Sequence, residues 1–232
     1  MNDASRIPHV ASLLADPARA AIVWTLIDGT TRPAGELAFA ANVSAQSASA
    51  HLAKLVEGGL LTAEAQGRHR YFRIASAEAA HLIESLASFG ASIRPRVPRQ
   101  ASLVRAMPTQ FLHARTCYDH LAGEMAVQVL QAMLDAGWLL AQGQEFIATR
   151  LGQEKLTALG VDVSHGPKGR RPFARCCVDL TQRRAHLGGF LGAALLDLYV
   201  EKGWVLRTAR SRVVSITPKG HSAFMRKLGV SG

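Results

Sequence analysis

Residues 120–140, HLAGEMAVQVLQAMLDAGWLL, recur as residues 186–206, HLGGFLGAALLDLYVEKGWVL, and no other feature of the chain restricts its fold as much. In both copies His and Trp stand 18 positions apart, His120 to Trp138 and His186 to Trp204. Each copy follows an Ala-Arg-x-Cys, at 114–117 and 174–177. Each precedes a β-rich stretch ending in Thr-x-x-Gly, at 149–152 and 217–220. Between Cys and His the second copy carries six extra residues. Each unit reads as helix, Gly-Trp, hairpin, helix, the back half of a winged helix. Two such halves are expected to pack into one pseudo-symmetric, winged-helix-like α+β domain over 111–232.

The segment before the repeat follows a different order. Asp16-Pro17 reads as N-cap and first helical position, and Ala20, Val23, Trp24 and Ile27 recur at helical spacing until Asp28-Gly29. Pro33 opens a short helix over 34–42, with Leu37 and Ala41 facing inward. Ser44 caps the next helix, which runs to about Glu57 with Ala48, Leu52, Leu55 and Val56 on one face. Gly58-Gly59 stops it. Leu60 to Ala65 and His69 to Ile74 read as two strands around Gln66-Gly67-Arg68, and Ser76 caps a closing helix over 77–89. Helix, helix, turn, helix, hairpin, helix is the order of a winged helix-turn-helix. The whole chain is therefore expected to be mainly α with small β-hairpins. The winged helix-turn-helix spans 1–90, a basic Pro-rich linker 91–110, and a degenerate two-copy repeat domain for effector or partner binding 111–232.

Within the first segment, Val43-Ser44, Ser49-x-His51-Leu52, Leu55, Gly59-Leu60-Leu61 and Gly67-Arg68-His69-x-Tyr71 stand in the order and spacing of a known pattern. Over about residues 8–90 the chain resembles the arsenic-repressor (ArsR/SmtB) family of dimeric transcriptional regulators. The resemblance implies a homodimer on an inverted repeat in double-stranded DNA, usually a repressor released by an effector. It places Ser44, Gln46, Ser47, Ser49 and His51 on the reading helix and Lys54 towards a phosphate. It places Arg68 and His69 at the wing tip, against the backbone or minor groove; Arg70 beside them is a further candidate phosphate contact. Ala50 departs from the family, which commonly has a basic or imidazole side chain there. The family's Cys-x-Cys metal site is replaced by Ala38 and Ala40. The closing helix, SAEAAHLIESLASF, lacks the family's Asp and His pattern and holds one histidine, His81. Sensing is thus expected in 111–232.

Composition narrows the function class. With 48% hydrophobic and 19% charged residues, the chain reads as a folded soluble protein. No apolar run approaches the roughly 20 residues of a membrane span, and the N-terminus does not read as a signal peptide. Three cysteines, two adjacent, make a poor disulfide framework, which suits a reducing cytoplasm. No G-x-S-x-G, phosphate-binding glycine loop or H-E-x-x-H is present, so no enzyme is expected. The net charge of +10 points to a polyanionic partner. It is unevenly placed: residues 1–90 hold 7 Lys/Arg against 8 Asp/Glu, and the remainder 20 against 9. Arg94, Arg96 and Arg99 of the linker are expected to add non-specific DNA affinity. So is a second basic wing tip at Arg207, Arg210 and Arg212. The basic turn at 166–171 reads as solvated.

All three cysteines lie in the repeat region. Cys117 and Cys177 occupy matching positions, Cys176 adjoins the latter, and His120 matches His186. Three thiolates suit a soft metal or trivalent metalloid, and Cys/His pairs suit zinc. A low-pKa thiol beside Arg115 or Arg175 would be redox-active. Against these stands a plain structural reading, in which Ala-Arg-x-Cys is a buried strand or turn and the histidines cap a core helix. A third reading is an organic ligand held between the copies near Trp138 and Trp204, although those residues read first as repeat core. No cofactor is expected for DNA binding itself. The sequence thus reads as a sequence-specific DNA-binding transcriptional regulator, a dimeric repressor released by an effector sensed in the C-terminal domain. The alternatives are a constitutive DNA-binding protein whose C-terminal domain only adds contacts, and a protein-interaction scaffold.

Overall fold

Side-chain caps set the helix starts of the N-terminal unit. The computed structural model describes residues 6–67, 69–93, 107–163 and 171–231, and the chain divides into units 1–86 and 87–232. In the first unit the order is α1 (Arg6–Leu14), α2 (Pro17–Thr25), β1 (Arg32–Pro33), α3 (Ala34–Ala40) and α4 (Ala45–Glu57). Then come β2 (Leu61–Gln66), β3 (His69–Ile74) and α5 (Ala77–Ile93), whose residues from Ala87 on belong to the second unit. Asp16 accepts from the Arg19 N–H, Ser44 from Ser47 and Ser76 from Ala79. Each bond satisfies an N–H that the first helical turn leaves open, worth about 1 kcal/mol. α4 packs against α2 and α3, burying Ala48, Leu52 and Leu55. β2 and β3 pair antiparallel from Leu61↔Ile74 to Gln66↔His69. The unit is a winged helix-turn-helix.

Several expectations need correction here. α1 precedes the first expected helix; its Pro8 sits in the first turn, where a missing N–H costs nothing. β1 gives the wing a third strand, pairing Arg32↔Phe72 and Pro33↔Tyr71; two residues are too few to show a period. Ala38, not Ala41, is buried beside Leu37, because Ala41 is the C-cap where the chain leaves the helix. Val56 is half-buried at the edge of the α4 stripe. α5 runs on to Ile93, into the segment read as linker. Residues 94–106 of that segment, with Arg94, Arg96 and Arg99, and Arg68 of the wing, lie outside the described residues.

In the second unit, after the end of α5, comes α6 (Thr109–His113), which also takes in the end of the expected linker. Its first copy is β4 (Arg115–Cys117), β5 (His120–Ala122), α7 (Glu124–Asp135), β6 (Leu139–Gln142), β7 (Glu145–Ala148) and α8 (Arg150–Leu159). The second is β8 (Arg175–Val178), β9 (Ala185–Gly188), α9 (Gly189–Glu201), β10 (Val205–Arg207), β11 (Val214–Ile216) and α10 (Pro218–Leu228). Ala-Arg-x-Cys is thus the first strand of a hairpin preceding each helix, and the six extra residues lengthen the loop from Val178 to Ala185. The copies exchange these hairpins. The Thr116 N–H donates to the Arg212 carbonyl and Val214 to Ala114; at the matching places Cys176 donates to Gln144 and Phe146 to Ala174. The first hairpin of each copy therefore continues the wing of the other, and neither copy closes its backbone bonds alone.

Thr-x-x-Gly acquires a physical meaning from the tryptophans. Thr149 and Thr217 each accept from the N–H of the glycine three residues on, and each hydroxyl donates back to the carbonyl of Gly137 or Gly203. A Cβ on Gly152 or Gly220 would overlap the backbone carbonyl of Trp138 or Trp204. Both tryptophans are buried core residues, and Trp204 stacks on Tyr199 with centroids 5.6 Å apart. Among the described residues no helix is long and apolar enough to cross a membrane.

Candidate functional sites: a DNA-reading face and a cysteine–histidine centre

Helical geometry sorts the side chains of α4. With Ala48, Leu52 and Leu55 turned to the core, the opposite face carries Gln46, Ala50, Ala53 and Lys54, all exposed. Ser44, Ser47 and Ser49 are exposed on its flanks. The Ser44 and Ser47 hydroxyls lie 3.1 Å apart, and the Ser49 hydroxyl donates to the Ala45 carbonyl at 2.9 Å. Ser49 borders a groove of about 360 Å³ between α4 and β3, shared with Glu57, Arg70 and Phe72. His69 and Arg70 are exposed at the start of β3, and the Arg70 guanidinium lies 5.7 Å from the Phe72 ring centroid.

His51 departs from its expected place beside Ser49. Three residues after Ala48 and four before Leu55, it flanks the buried stripe rather than opposing it. Its Nδ1 lies 3.8 Å from an Asp16 oxygen, and its side chain keeps only 20% of its exposure. The Asp16 carboxyl titrates below its ordinary range chiefly because it accepts the Arg19 N–H, with the His51 charge adding to that. His51 therefore lies between α4 and the start of α2.

The second site lies where the two exchanged hairpins meet. Cys117 closes β4 and His120 opens β5, paired across a turn at Tyr118-Asp119; Cys177 pairs with His186 across β8 and β9. The two sulfurs stand 4.0 Å apart and the two Nε2 atoms 3.1 Å apart. All four side chains are buried, with their ligand atoms within 4.8 Å of one another. Cys176 does not join them. Successive strand residues point to opposite faces, so Cys176 packs against the main core of this unit while Cys177 turns to the centre. A three-thiolate arrangement is therefore not assembled. Burial pushes the Cys176 thiol up, against a smaller opposing effect of Arg175, so it is not a low-pKa thiol.

Two carboxylates, which the residue reading missed, stand behind the histidines. Asp119 Oδ1 lies 3.2 Å from His120 Nδ1, and Asp179 Oδ2 lies 3.9 Å from His186 Nδ1. The signal was present in the sequence, for Cys-x-Asp recurs at 117–119 and 177–179. Burial opposes charge on His120, but its bonds to Asp119 and Cys117 outweigh that and raise its pKa to about 9. Burial likewise disfavours the Asp119 carboxylate, yet His120 and Arg171 hold it below the ordinary range. Arg171, read as part of a solvated turn, in fact donates to Asp119 at 2.6 Å and to the Gly189 carbonyl at 2.7 Å.

Asp179 is the more constrained of the two. It takes both oxygens to Arg115 at 2.9 Å and accepts the N–H groups of Gly123, Thr181 and Gln182. Burial works against its charge, but Arg115 and these N–H groups hold the carboxyl well below the usual carboxylate range. Arg115 is buried with it, whereas its repeat counterpart Arg175 is exposed. The expected basic tip near Ser211 is only partly free. Arg207 and Arg210 are exposed, but Arg212 turns inward, donating to the Thr116 carbonyl and lying over the Phe111 ring.

Comparison with known proteins adds independent findings. Residues 14–64 match the family model described as a helix-turn-helix domain. The chain is 41% identical over 225 residues to the HTH-type transcriptional regulator YdfF of Bacillus subtilis, covering 97% of each protein. Among solved structures, HlyU from Vibrio cholerae is 24% identical, covering 38% of this chain and 97% of that one, with a TM-score of 0.36. The homodimeric winged helix-turn-helix DNA-binding domain of Mb0332 from Mycobacterium bovis, a possible ArsR-family regulator, is 28% identical. It covers 41% of this chain and 92% of that one, also with a TM-score of 0.36.

Proposed function

The chain belongs to the helix-turn-helix transcriptional regulators, and from that premise we propose that it acts as a homodimeric repressor of the arsenic-repressor type. It would sit on an inverted-repeat operator in the cytoplasm until an effector held by the C-terminal unit releases it. The observation that carries the reading is the solvent face of α4. Gln46 and Lys54 stand there with the small Ala50 and Ala53 between them, opposite a fully buried stripe. In a major groove, a Gln side chain pairs with adenine, alanine methyls meet thymine methyls, and a Lys holds a phosphate. The serines at 44, 47 and 49 flank this contact, and His69 and Arg70 of the wing reach the neighbouring backbone. Self-association is supported by α5, which exposes Leu86, Phe89 and Ile93 at i, i+3 and i+7. Paired half-sites would then lie about 10 base pairs, or a multiple of that, apart. No catalytic step is assigned to the protein.

The test is binding to the DNA upstream of the protein's own gene against random DNA of equal length. Gln46→Ala should reduce the preference for the operator by the equivalent of about 1–3 kcal/mol per half-site. Lys54→Ala should weaken both DNAs alike. A Gln46→Ala protein with undiminished preference would overturn this placement of the reading helix.

A further inference from the structure

We infer that Cys117, His120, Cys177 and His186 form a closed tetrahedral site for a divalent cation of the zinc class, two ligands from each copy of the repeat. Metal–sulfur bonds of about 2.3 Å and metal–nitrogen bonds of about 2.0–2.1 Å at tetrahedral angles separate two sulfurs by about 3.8 Å and two nitrogens by about 3.3 Å. The protein holds its sulfur pair at 4.0 Å and its Nε2 pair at 3.1 Å. All four ligand atoms lie within 4.8 Å of one another, against about 3.6 Å for a sulfur–nitrogen edge of such a tetrahedron, so the two hairpins need to close by at most about an ångström on an ion.

The orientation of the rings is the second, independent observation. A metal-binding imidazole commonly turns its far nitrogen to a carboxylate, which fixes its tautomer and aim. Here both rings do so, His120 towards Asp119 and His186 towards Asp179. His186 Nδ1 is buried without a hydrogen-bond partner among the described residues, and it faces the Asp179 carboxylate at 3.9 Å.

Donor chemistry then selects the ion. Two thiolates and two neutral imidazoles offset the charge of a dication, so none is left unbalanced in the interior. Mixed sulfur and nitrogen ligands exclude calcium and magnesium, which take oxygen. A trivalent metalloid would be left with two thiolates, since Cys176 faces the other way. Four buried protein ligands leave no open position, so the ion binds and cross-links rather than catalyses. Because β4–β5 and β8–β9 each belong to a different copy, the ion would tie the two copies together where their hairpins meet.

Its role as the effector rests on the regulatory reading above, whereas occupancy does not, and one experiment separates them. The full chain is reduced, stripped with a chelator and titrated with zinc(II), and in parallel with cobalt(II), while operator binding is followed. One equivalent per chain is expected. The cobalt form should show thiolate-to-metal charge transfer and the intense visible bands of four-coordinate cobalt. The thermal midpoint should rise with zinc concentration, because the ion binds the folded state. Cys117→Ser/Cys177→Ser should lose uptake and Cys176→Ser should keep it. Less than a tenth of an equivalent bound, a six-coordinate cobalt spectrum, or full uptake by the double variant would overturn the site. Should that variant fail to fold, the cobalt spectrum of the parent protein still decides. Uptake without any change in operator binding would sustain the site and remove the effector role.

Discussion

Asp179→Asn removes a charge and almost no volume from the interior of the C-terminal unit, so it isolates what the buried ion pair contributes. The side chains of Arg115 and Asp179 are 1% and 0% exposed, and both carboxylate oxygens lie 2.9 Å from the same guanidinium nitrogen. An asparagine would still accept from some of the N–H groups of Gly123, Thr181 and Gln182, but its amide would face the guanidinium. Arg115 would then stay charged and out of water, with the opposing carboxylate gone. Removing one member of a buried pair destabilises by about 3–5 kcal/mol, against a total of only about 5–15 kcal/mol for a typical domain. With a urea dependence of about 2 kcal/mol per molar, the midpoint should fall by roughly 2 M.

Tryptophan fluorescence reads this unit directly, since Trp138 and Trp204 belong to it and Trp24→Phe removes the signal of the other unit. A chelator keeps any metal contribution out of the comparison. Adding Arg115→Met should recover much of the loss, because an apolar side chain of similar length leaves no buried charge. Asp197→Asn serves as the control: its bridge to Arg207 is 3.6 Å long and exposed on both sides, and the midpoint should not move measurably. A fall of less than about 0.5 M for Asp179→Asn, or a double variant no better than the single one, would refute the reasoning.

Two further outcomes follow from the repeat. Gly152→Ala and Gly220→Ala should each lower stability by about 1–3 kcal/mol or more in calorimetry, because the added methyl meets a tryptophan carbonyl rather than a movable side chain; an unchanged midpoint for either would mean that its helix start can shift. On random DNA, Arg207→Ala and Arg210→Ala should each lower the slope of log affinity against log salt by up to about 0.9 for every phosphate no longer neutralised, while Arg212→Ala should leave the slope alone and reduce stability, since its guanidinium is spent on Thr116 and Phe111.

Short-range rules made much of the protein legible without coordinates. Asp16, Ser44 and Ser76 bond to N–H groups three residues away, and the buried stripe of α4 depends only on helical periodicity. The winged helix-turn-helix and the equivalence of the two repeat copies could therefore be read along the chain. So could the matching of Cys117 with Cys177 and of His120 with His186.

Tertiary structure decided whatever depends on a partner far away in sequence. Arg115 and Arg175 share one motif, yet only Arg115 meets an aspartate, because Asp179 comes from the other copy, 64 residues on. Cys176 and Cys177 are neighbours, and strand alternation alone sends one to the core and the other to the centre. His51 looked free to reach DNA until packing set it beside Asp16. The exchange of hairpins between the copies is written in no local pattern, since backbone hydrogen bonds carry no side-chain label. Only that exchange brings two cysteines and two histidines, 60 and 66 residues apart along the chain, to within 4.8 Å of one another.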